Sequence, residues 1–288
     1  MPVIISASRR TDIPAYYMEW FMEQIRTGAF EIQNPYNGRI SQMQATPDKV
    51  YCIVFWSKNF GPFFQGNYDK LLIQKGYRLF FNFTINSADP IIEPNTPPLA
   101  ERLEQLACMS RRFDNRCIYW RFDPVCFYRV TGKAMTNNLC DFSQIADAAH
   151  LCGIQTCITS FMDHYPKIHK RTRYIEGFSF EDPPDDQKIH ILLEMEDILQ
   201  SRNIRLVTCC EQELMTQLPH YSQIGKSSCI PGELLVETYG GNLSIKKDKG
   251  QRTLQGCGCQ LSVDIGSYSR HPCRNACLFC YANPIISR

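Results

Sequence analysis

The sequence lacks a long uninterrupted apolar run. Its longest solidly apolar stretches fall far short of the about 20 residues that a membrane-spanning helix needs. The N-terminal stretch MPVIISASRRTDIP has no basic region ahead of an apolar one. These absences argue against a membrane partner and a secretory leader, and we expect a cytoplasmic protein.

The sequence also lacks a strong excess of charge of either sign. It has 31 Lys and Arg against 29 Asp and Glu, a formal net charge of +2 at pH 7. A protein that binds nucleic acid mainly through its phosphates usually carries a broad basic surface, which this charge does not supply. With 44% hydrophobic residues in 288, the chain is long and apolar enough for one large folded domain or two ordinary ones.

Glycine is missing where a dinucleotide-binding protein would need it. The first predicted strand, residues 3–8, is followed by RRTDIP, which contains no glycine. A dinucleotide-binding sheet places a glycine-rich turn at this point, so that the backbone can approach the phosphates. That class of protein therefore has little support.

Short apolar runs alternate with segments of helical spacing. Runs rich in β-branched and aromatic residues predict buried strands at 3–8, 50–56, 78–85, 117–122, 155–161 and 204–210. Apolar residues three and four apart predict helices at 16–27, 98–112, 138–151 and 186–202. This alternation predicts an α/β protein with a parallel sheet, and we favour a partial (β/α)6-type TIM-like barrel over a doubly wound sheet.

Polar residues follow the predicted strands. The carboxyl ends of strands in parallel α/β proteins meet at one rim, where ligands bind. Any one of these residues could equally belong to a solvated loop, but together they suggest a pocket for the carboxylate or phosphate groups of a small-molecule or nucleotide-like ligand. The candidates are Arg9, Arg10, Asp12, Lys58, Arg121 and Asp123. No residue is assigned a catalytic role.

Cysteine is abundant, with 15 residues. In a reducing compartment disulfides do not persist, and clustered thiolates more often hold metal. Single cysteines inside apolar patterns are predicted to be small core residues; these are Cys52, Cys108, Cys117, Cys126, Cys140, Cys152 and Cys157. The other eight lie from Cys209 onward. After about residue 220 the chain becomes rich in Gly, Ser and Lys and lacks a long helical period. We therefore divide the chain into a partial barrel, 1–219, and a cysteine-rich iron–sulfur extension, 220–288, that closes the barrel mouth or forms a small metal domain of its own.

Three of the late cysteines share one tight loop. Cys273, Cys277 and Cys280 are spaced as CxxxCxxC in HPCRNACLFCYANP. An iron–sulfur cubane held by only three thiolates keeps one iron open to an outside molecule. Structural zinc sites take four closed ligands and ferredoxin clusters take a fourth cysteine at a set interval, and this spacing matches neither well.

A second group of cysteines has enough thiols for a closed site. Cys210, Cys229, Cys257 and Cys259 could hold a second iron–sulfur cluster or a zinc ion. Cys209 is interpreted as a core or spare thiol. In another interpretation Cys257 or Cys259 caps the fourth iron of the CxxxCxxC cluster, which would make an electron carrier rather than an enzyme.

The CxxxCxxC loop, with Phe279 before its last cysteine and Tyr281 after it, resembles the cluster loop of the radical S-adenosylmethionine superfamily. The stretches ISASRRTDIPA and CGCQLSVDIGSYSRHPCRNACLFCYANP are similar to an uncharacterised, mainly bacterial family noted for such a cluster at its C-terminus. The superfamily resemblance implies a partial barrel of six βα units, a [4Fe–4S] cluster and S-adenosylmethionine. It also implies an electron donor such as ferredoxin or flavodoxin, and a 5′-deoxyadenosyl radical that abstracts hydrogen.

Two features depart from that superfamily. Its members usually carry the three cysteines after the first strand, whereas here they stand near the C-terminus, so the tail must fold back over the barrel mouth. The Gly-Gly-Glu stretch that holds the methionine amino group is replaced by WSKNFGP. Two other functions stay open. One is a two-cluster electron-transfer protein without S-adenosylmethionine chemistry. The other is a zinc-bearing nucleic-acid binding module, which the basic segment YPKIHKRTRY supports slightly.

Overall fold

The computed structural model describes residues 1–34, 37–282 and 284–285. Its strands are β1 (Val3–Ala7), β2 (Ala29–Gln33), β3 (Ile40–Gln44), β4 (Val50–Ser57), β5 (Leu79–Thr84), β6 (Ile118–Val125), β7 (Phe127–Val130), β8 (Thr136–Asn137), β9 (Thr156–Phe161), β10 (Phe178–Glu181), β11 (Arg205–Thr208), β12 (Gly225–Lys226) and β13 (Ser262–Asp264). Its helices are α1 (Ile13–Tyr16), α2 (Met18–Thr27), α3 (Gly61–Gln65), α4 (Tyr68–Gln74), α5 (Leu99–Arg112), α6 (Phe142–Leu151), α7 (Pro166–Thr172), α8 (Asp185–Gln200), α9 (Gln212–Gln217) and α10 (Gly232–Tyr239).

One large sheet organises the described structure. Its eight strands follow the order β12-β11-β9-β6-β5-β4-β1-β13, and every neighbouring pair is parallel. The six predicted strands form its centre, which confirms the parallel α/β class. The late part of the chain adds β12 and β13 at the two edges, and the described strands do not show a closed barrel.

The two faces of this sheet bury different cores. Side chains alternate between faces along a strand, so Phe55 and Phe81 enter the core on one face while Val54 and Phe80 enter the core on the other. The first face packs against residues of α1–α6, α8 and α9. The second face packs against Cys229, Ile230, Leu235 and other residues of the late segment, and we call it the tail-covered face. Burial on both faces explains why the strands are almost continuously apolar.

The four predicted helices are present as α2, α5, α6 and α8. Pro98 and Pro184 stand immediately before α5 and α8. Proline has no backbone N–H, and at the start of a helix its absence removes no helical hydrogen bond. The third helix starts later than predicted. Residues 136–137 form β8, and the Asn138 side chain accepts from Cys126 N at 2.8 Å and donates to Pro124 O at 3.1 Å, so Asn138 belongs to the turn before the helix.

The segment after residue 220 packs directly on the sheet. Helix α10 covers the tail-covered face, where Leu235 is fully buried and Tyr239 donates its hydroxyl to Leu79 O at 2.6 Å. Tyr51 of β4 donates to Gly240 O at 2.8 Å. A boundary at 219/220 stays a prediction. None of the described helices combines the length and the apolar character required to cross a membrane.

Candidate functional site

The loop that carries Cys273, Cys277 and Cys280, residues 271–282, lies across the carboxyl ends of β1, β4 and β5. We call it the triad loop. Its Asn275 side chain donates to Asp12 Oδ2 at 2.9 Å, in the turn after β1. Leu278 N donates to Ile92 O at 2.9 Å, in the segment after β5, and Tyr281 donates its hydroxyl to Arg9 O at 2.7 Å. The tail therefore folds back onto the end of the sheet where parallel α/β proteins bind ligands.

Asp12 joins two strand ends to the triad loop. Its Oδ1 accepts from Ser57 Oγ at 2.6 Å and from Ala15 N at 3.1 Å. Its Oδ2 accepts from Lys58 N at 2.9 Å as well as from Asn275. Burial raises the pKa of Asp12, while these hydrogen bonds oppose the shift. Because protein donors occupy both oxygens, the carboxylate acts on the protein rather than on a ligand.

Arg171 holds the triad loop from its other side. This partly buried residue of α7 donates to Leu278 O at 3.0 Å, Cys280 O at 2.9 Å and Ala282 O at 3.2 Å. Its neighbours Lys170 and Arg173 are exposed. The basic segment that suggested a nucleic-acid contact thus directs its central arginine inward, onto backbone carbonyls of the cysteine loop.

Burial and nearby charges shift the pKa values of the three thiols of the triad loop. Burial raises the pKa of Cys273 to about 12, and the charges of Asp12 and Cys280 add to the shift. Burial also raises the pKa of Cys277 well above its usual range, with Lys58 opposing. Burial raises the pKa of Cys280, against Arg171 and Lys58. The two cations favour thiolates, which a metal requires when it displaces the thiol protons.

Lys58 belongs to a buried ion pair beside the triad loop. Its Nζ lies 2.6 Å from Glu93 Oε1 and 5.3 Å from the centre of the Phe279 ring. Glu93 Oε1 also accepts from Asn86 Nδ2 at 2.9 Å, whereas Glu93 Oε2 is buried without a hydrogen-bond partner. Sequence reasoning missed Glu93 because the segment 86–98 carries no motif. Only the fold places it beside Lys58.

Five other cysteines form a group of their own at the tail-covered face, which we call the five-thiol group: Cys209, Cys210, Cys229, Cys257 and Cys259. Cys209 Sγ lies 3.8 Å from Cys210 Sγ and 3.9 Å from Cys229 Sγ. Side-chain hydrogen bonds with Cys210 and Cys259 lower the pKa of Cys257 to about 3. Similar bonds with Cys229 and Cys257 raise the pKa of Cys259 far above its usual range. The four cysteines grouped from sequence are therefore neighbours.

Cys209 also belongs to this group, although the sequence suggested a core or spare thiol. Adjacent residues on a regular strand direct their side chains to opposite faces. Cys210 has a φ of 66°, outside strand geometry, so the chain turns directly after β11 and both thiols pack at the tail-covered face. Two adjacent cysteines give no sequence signal for such a turn. The sequence therefore did not predict that Cys209 lies beside the other four cysteines.

The buried Arg121 and the partly buried Arg9 flank the five-thiol group. Arg121 Nη1 donates to Cys229 Sγ at 2.7 Å, and its Nη2 pairs with Asp123. Arg9 Nη1 donates to Ser262 Oγ at 3.1 Å, whereas Arg9 Nη2 is buried without a hydrogen-bond partner. Burial lowers the pKa of Arg9, but Cys259, Asp264 and Cys229 outweigh it and raise the pKa overall. Both guanidinium groups lie over the Trp56 ring, at 5.3 and 5.2 Å.

The remaining pocket candidates also contact protein groups. Arg10 Nη1 donates to Gly266 O at 2.9 Å and to Gln33 O at 3.2 Å, so it supports the backbone of the tail. Asp123 accepts from Ser160 as well as from Arg121. The six candidates therefore divide by location. Asp12 and Lys58 lie at the triad loop. The five-thiol group has Arg9, Arg121 and Asp123 beside it. Arg10 contacts the backbone at Gly266 and Gln33.

Comparison with known protein families gives a match over nearly the whole chain. Residues 4–282 match the model of a domain of unknown function, DUF1848. The matched range includes the sheet, the five-thiol group and the triad loop. The chain belongs to the DUF1848 family. No curated protein and no solved structure matches it. The function of this DUF1848 protein must therefore be inferred from its own residues.

The cysteines of the DUF1848 protein are all free thiols. The 3.8 and 3.9 Å separations around Cys209 are far longer than a disulfide bond, which is about 2.05 Å. In the described part of the chain, no group of three or more His, Cys, Asp or Glu side chains is already gathered so as to hold a metal ion. The chain offers two sets of sulfur donors, one across the strand ends and one at the tail-covered face.

Proposed function

We propose that this DUF1848 protein is a radical S-adenosylmethionine-type enzyme. Cys273, Cys277 and Cys280 hold a [4Fe–4S] cluster, and the protein cleaves S-adenosylmethionine reductively to begin hydrogen abstraction from a small-molecule or nucleotide-like substrate. One observation supports this above the others: a loop that carries three cysteines lies across the carboxyl ends of parallel strands. When bound, such a cluster supplies an iron open to S-adenosylmethionine and the electron for its cleavage.

The separation of the two cysteine sets supports an open iron. Cys257 and Cys259 were the candidates for a fourth ligand to the triad cluster. Both have thiol neighbours in the five-thiol group instead, Cys210 and Cys259 for the first and Cys229 and Cys257 for the second. The triad loop then contributes three sulfur ligands, which is the number that leaves one corner of a cubane free.

The residues around the triad loop fit an iron–sulfur cluster and a charged ligand beside it. Thiolates are the preferred ligands of iron–sulfur clusters, and Lys58 and Arg171 provide positive charge near Cys277 and Cys280. Glu93 Oε2 is a buried acceptor without a partner, next to the Lys58 ammonium. Such an acceptor suits a protonated amine, and we assign it to the amino group of S-adenosylmethionine in place of the missing Gly-Gly-Glu stretch.

The surrounding structure orients the cofactor and limits its contact with water. Asp12 and Arg171 fix the triad loop from opposite sides, and Phe279 and Leu278 bury apolar surface next to the cysteines. Exclusion of water protects a reactive intermediate from side reactions. We further propose that the large sheet curves as a partial (β/α)6-type barrel, so that the strand ends enclose the substrate, and that a ferredoxin or flavodoxin supplies electrons.

One observation favours a second function. The five-thiol group has enough sulfur for a further cluster, as a two-cluster electron-transfer protein without S-adenosylmethionine chemistry would require. A zinc-bearing nucleic-acid module has less support than its basic segment suggested, because Arg171 is directed to the triad loop.

Anaerobic reconstitution with iron and sulfide, followed by electron paramagnetic resonance, tests the proposal. Addition of S-adenosylmethionine should change the signal of the reduced cluster, and reduced protein should release 5′-deoxyadenosine and methionine, detected by mass spectrometry. Cys277→Ser should abolish both effects, whereas Cys140→Ser, which removes an exposed thiol, should preserve them. A cluster signal indifferent to S-adenosylmethionine, without 5′-deoxyadenosine, would favour the electron-transfer protein, and zinc without sulfide would favour the nucleic-acid module.

A further inference from the structure

We propose that the five-thiol group binds one structural zinc ion, ligated by Cys209, Cys210, Cys229 and either Cys257 or Cys259. None of these residues belongs to the triad loop, so the site does not depend on the proposed S-adenosylmethionine chemistry. The ion attaches the late segment of the chain to the end of β11.

Two distances match thiolates around a single tetrahedral ion. Cys209 Sγ lies 3.8 Å from Cys210 Sγ and 3.9 Å from Cys229 Sγ. Zinc–sulfur bonds of about 2.3 Å at tetrahedral angles place neighbouring sulfur ligands about 3.8 Å apart. The thiolates of a [4Fe–4S] cubane bind four different irons and therefore lie much farther apart. The sulfurs around Cys209 thus fit a site with one metal ion.

Backbone hydrogen bonds hold the three cysteine-bearing segments side by side. Ser227 N donates to Thr208 O at 2.9 Å, which joins the segment of Cys229 to the end of β11. Gly258 N, between the two cysteines of the GCGC stretch, donates to Ser227 O at 3.2 Å. A Cβ atom at Gly258 would lie 2.7 Å from Ser227 O, so this close approach requires glycine. The backbone therefore brings both cysteines of that stretch to the segment of Cys229.

The sulfurs are not yet gathered around one point. Among the residues that the structure describes, no set of three or more Cys, His, Asp or Glu side chains already forms a metal site. All five cysteines nevertheless pack in or against one core at the tail-covered face. Rotation of a cysteine about its χ1 angle moves the sulfur without moving the backbone. Zinc binding therefore requires rotation of side chains rather than a new path of the chain.

Positive charge is present where buried thiolates need it. Four thiolates around Zn²⁺ carry a net charge of about −2. Arg121 is 5% exposed and donates to Cys229 Sγ at 2.7 Å. Arg9, over the same Trp56 ring, has a buried Nη2 donor without a hydrogen-bond partner. Burying an unpaired donor is costly, and a negatively charged sulfur ligand satisfies it.

The surroundings indicate a structural ion. Cys229 and Cys259 are each 3% exposed, and a zinc ion with four protein ligands has no open position for a substrate. Asn82 Nδ2 donates to Cys229 O at 3.0 Å, which fixes the same loop against β5. Cys259 stands shortly before β13, the strand that pairs with β1 and leads to the triad loop. The ion therefore stabilises the path by which the tail returns to the strand ends.

Zinc analysis of the full-length chain tests the site. A triad variant, Cys273→Ser/Cys277→Ser/Cys280→Ser, has only the five-thiol group as a cysteine cluster. After incubation with zinc and removal of the excess, this variant should contain about one zinc per chain. Iron with sulfide in place of zinc, or no bound metal, would overturn the proposal and leave the five thiols as packing groups.

Cysteine substitutions in the triad variant identify the ligands. Cys229→Ser and Cys257→Ser/Cys259→Ser should each abolish zinc binding. Cys140→Ser/Cys152→Ser removes two thiols outside both groups and should keep about one zinc per chain. Full zinc binding by either of the first two variants would contradict the site. Circular dichroism melting identifies any variant that does not fold.

X-ray absorption at the zinc edge gives a test that does not depend on a substitution within the five-thiol group. The zinc-loaded triad variant should show four sulfur ligands at about 2.3 Å. A first coordination sphere of nitrogen and oxygen, or of fewer than three sulfurs, would overturn the proposal.

These measurements separate the zinc site from the proposed function. If the triad variant binds zinc while the reconstituted wild-type protein shows no cluster signal that responds to S-adenosylmethionine, the zinc site stands and the proposed function fails. If the wild-type protein gives that signal while the triad variant binds no zinc, the proposed function stands and the zinc site fails.

Discussion

Arg171 provides a direct test of how the triad loop is held. Its guanidinium group donates to three backbone oxygens of the loop at 3.0, 2.9 and 3.2 Å and makes a longer contact with Cys277 O at 3.4 Å. Arg171→Ala removes all of these bonds, while Asp12 continues to hold Asn275 on the other side. We expect the loop to detach locally without unfolding of the sheet, because local openings are independent of the core when few contacts are shared.

The size of the effect follows from these bonds. A hydrogen bond to a charged group contributes about 1.5–3 kcal/mol net, and partial exposure of Arg171 reduces that figure. Three good bonds then stabilise the docked loop by about 4 kcal/mol. At 1.4 kcal/mol for each factor of ten, the detached population should rise by roughly a thousandfold. The detached population of Arg171→Lys should lie between those of the wild-type protein and Arg171→Ala, because an ammonium group cannot form the paired hydrogen bonds of a planar guanidinium group.

Amide hydrogen exchange measures this opening. The Leu278 amide, which donates to Ile92 O at 2.9 Å, and the Cys280 amide report on the loop. Amides of β5 report on the sheet and should keep their protection. Arg173→Ala removes an exposed arginine from the same segment and is the matched control. If Arg171→Ala changes protection of the Leu278 amide by less than about threefold, the contacts do not hold the loop.

Three further predictions concern stability. Asp12→Ala should cost about 3 kcal/mol in urea unfolding, because Asn275 and Ser57 lose a buried acceptor; a cost below about 1 kcal/mol would contradict its role. Burial raises the pKa of Glu211 to about 7 in the folded state. The folded state therefore binds a proton at Glu211 more tightly than the unfolded state does. The free energy of unfolding should fall by about 2 kcal/mol from about pH 5 to about pH 7.5, as Glu211 loses this proton. Glu211→Gln should lose that pH dependence, and equal slopes in both proteins would refute it. Phe81 is fully buried among aromatic rings. Phe81→Ala should therefore lower the free energy of unfolding by about 3–5 kcal/mol. An unchanged midpoint of urea unfolding would contradict this.

The sequence by itself determined the parallel α/β class and the approximate bounds of the six central strands and of four of the longer helices. Strands buried on both faces require nearly continuous apolar runs, and Phe80 and Phe81 show the reason, because they enter different cores. Pro98 before α5, and Asp185 and Asp186 in the first turn of α8, marked helix starts for an equally local reason. The CxxxCxxC spacing identified three thiols on one loop, since their proximity follows from the short chain between them.

Only the tertiary structure decided which polar groups meet. Asp12 and Asn275 stand at opposite ends of the chain and form a hydrogen bond because the tail returns to the strand ends. Arg171 contacts the triad loop and Arg121 contacts the five-thiol group, although both had been candidates for binding phosphate. Glu93 and Cys209 carried no motif at all. Short-range patterns encode the local conformation of a segment, whereas contacts between distant segments depend on strand order and on the path of the tail, which those patterns do not specify.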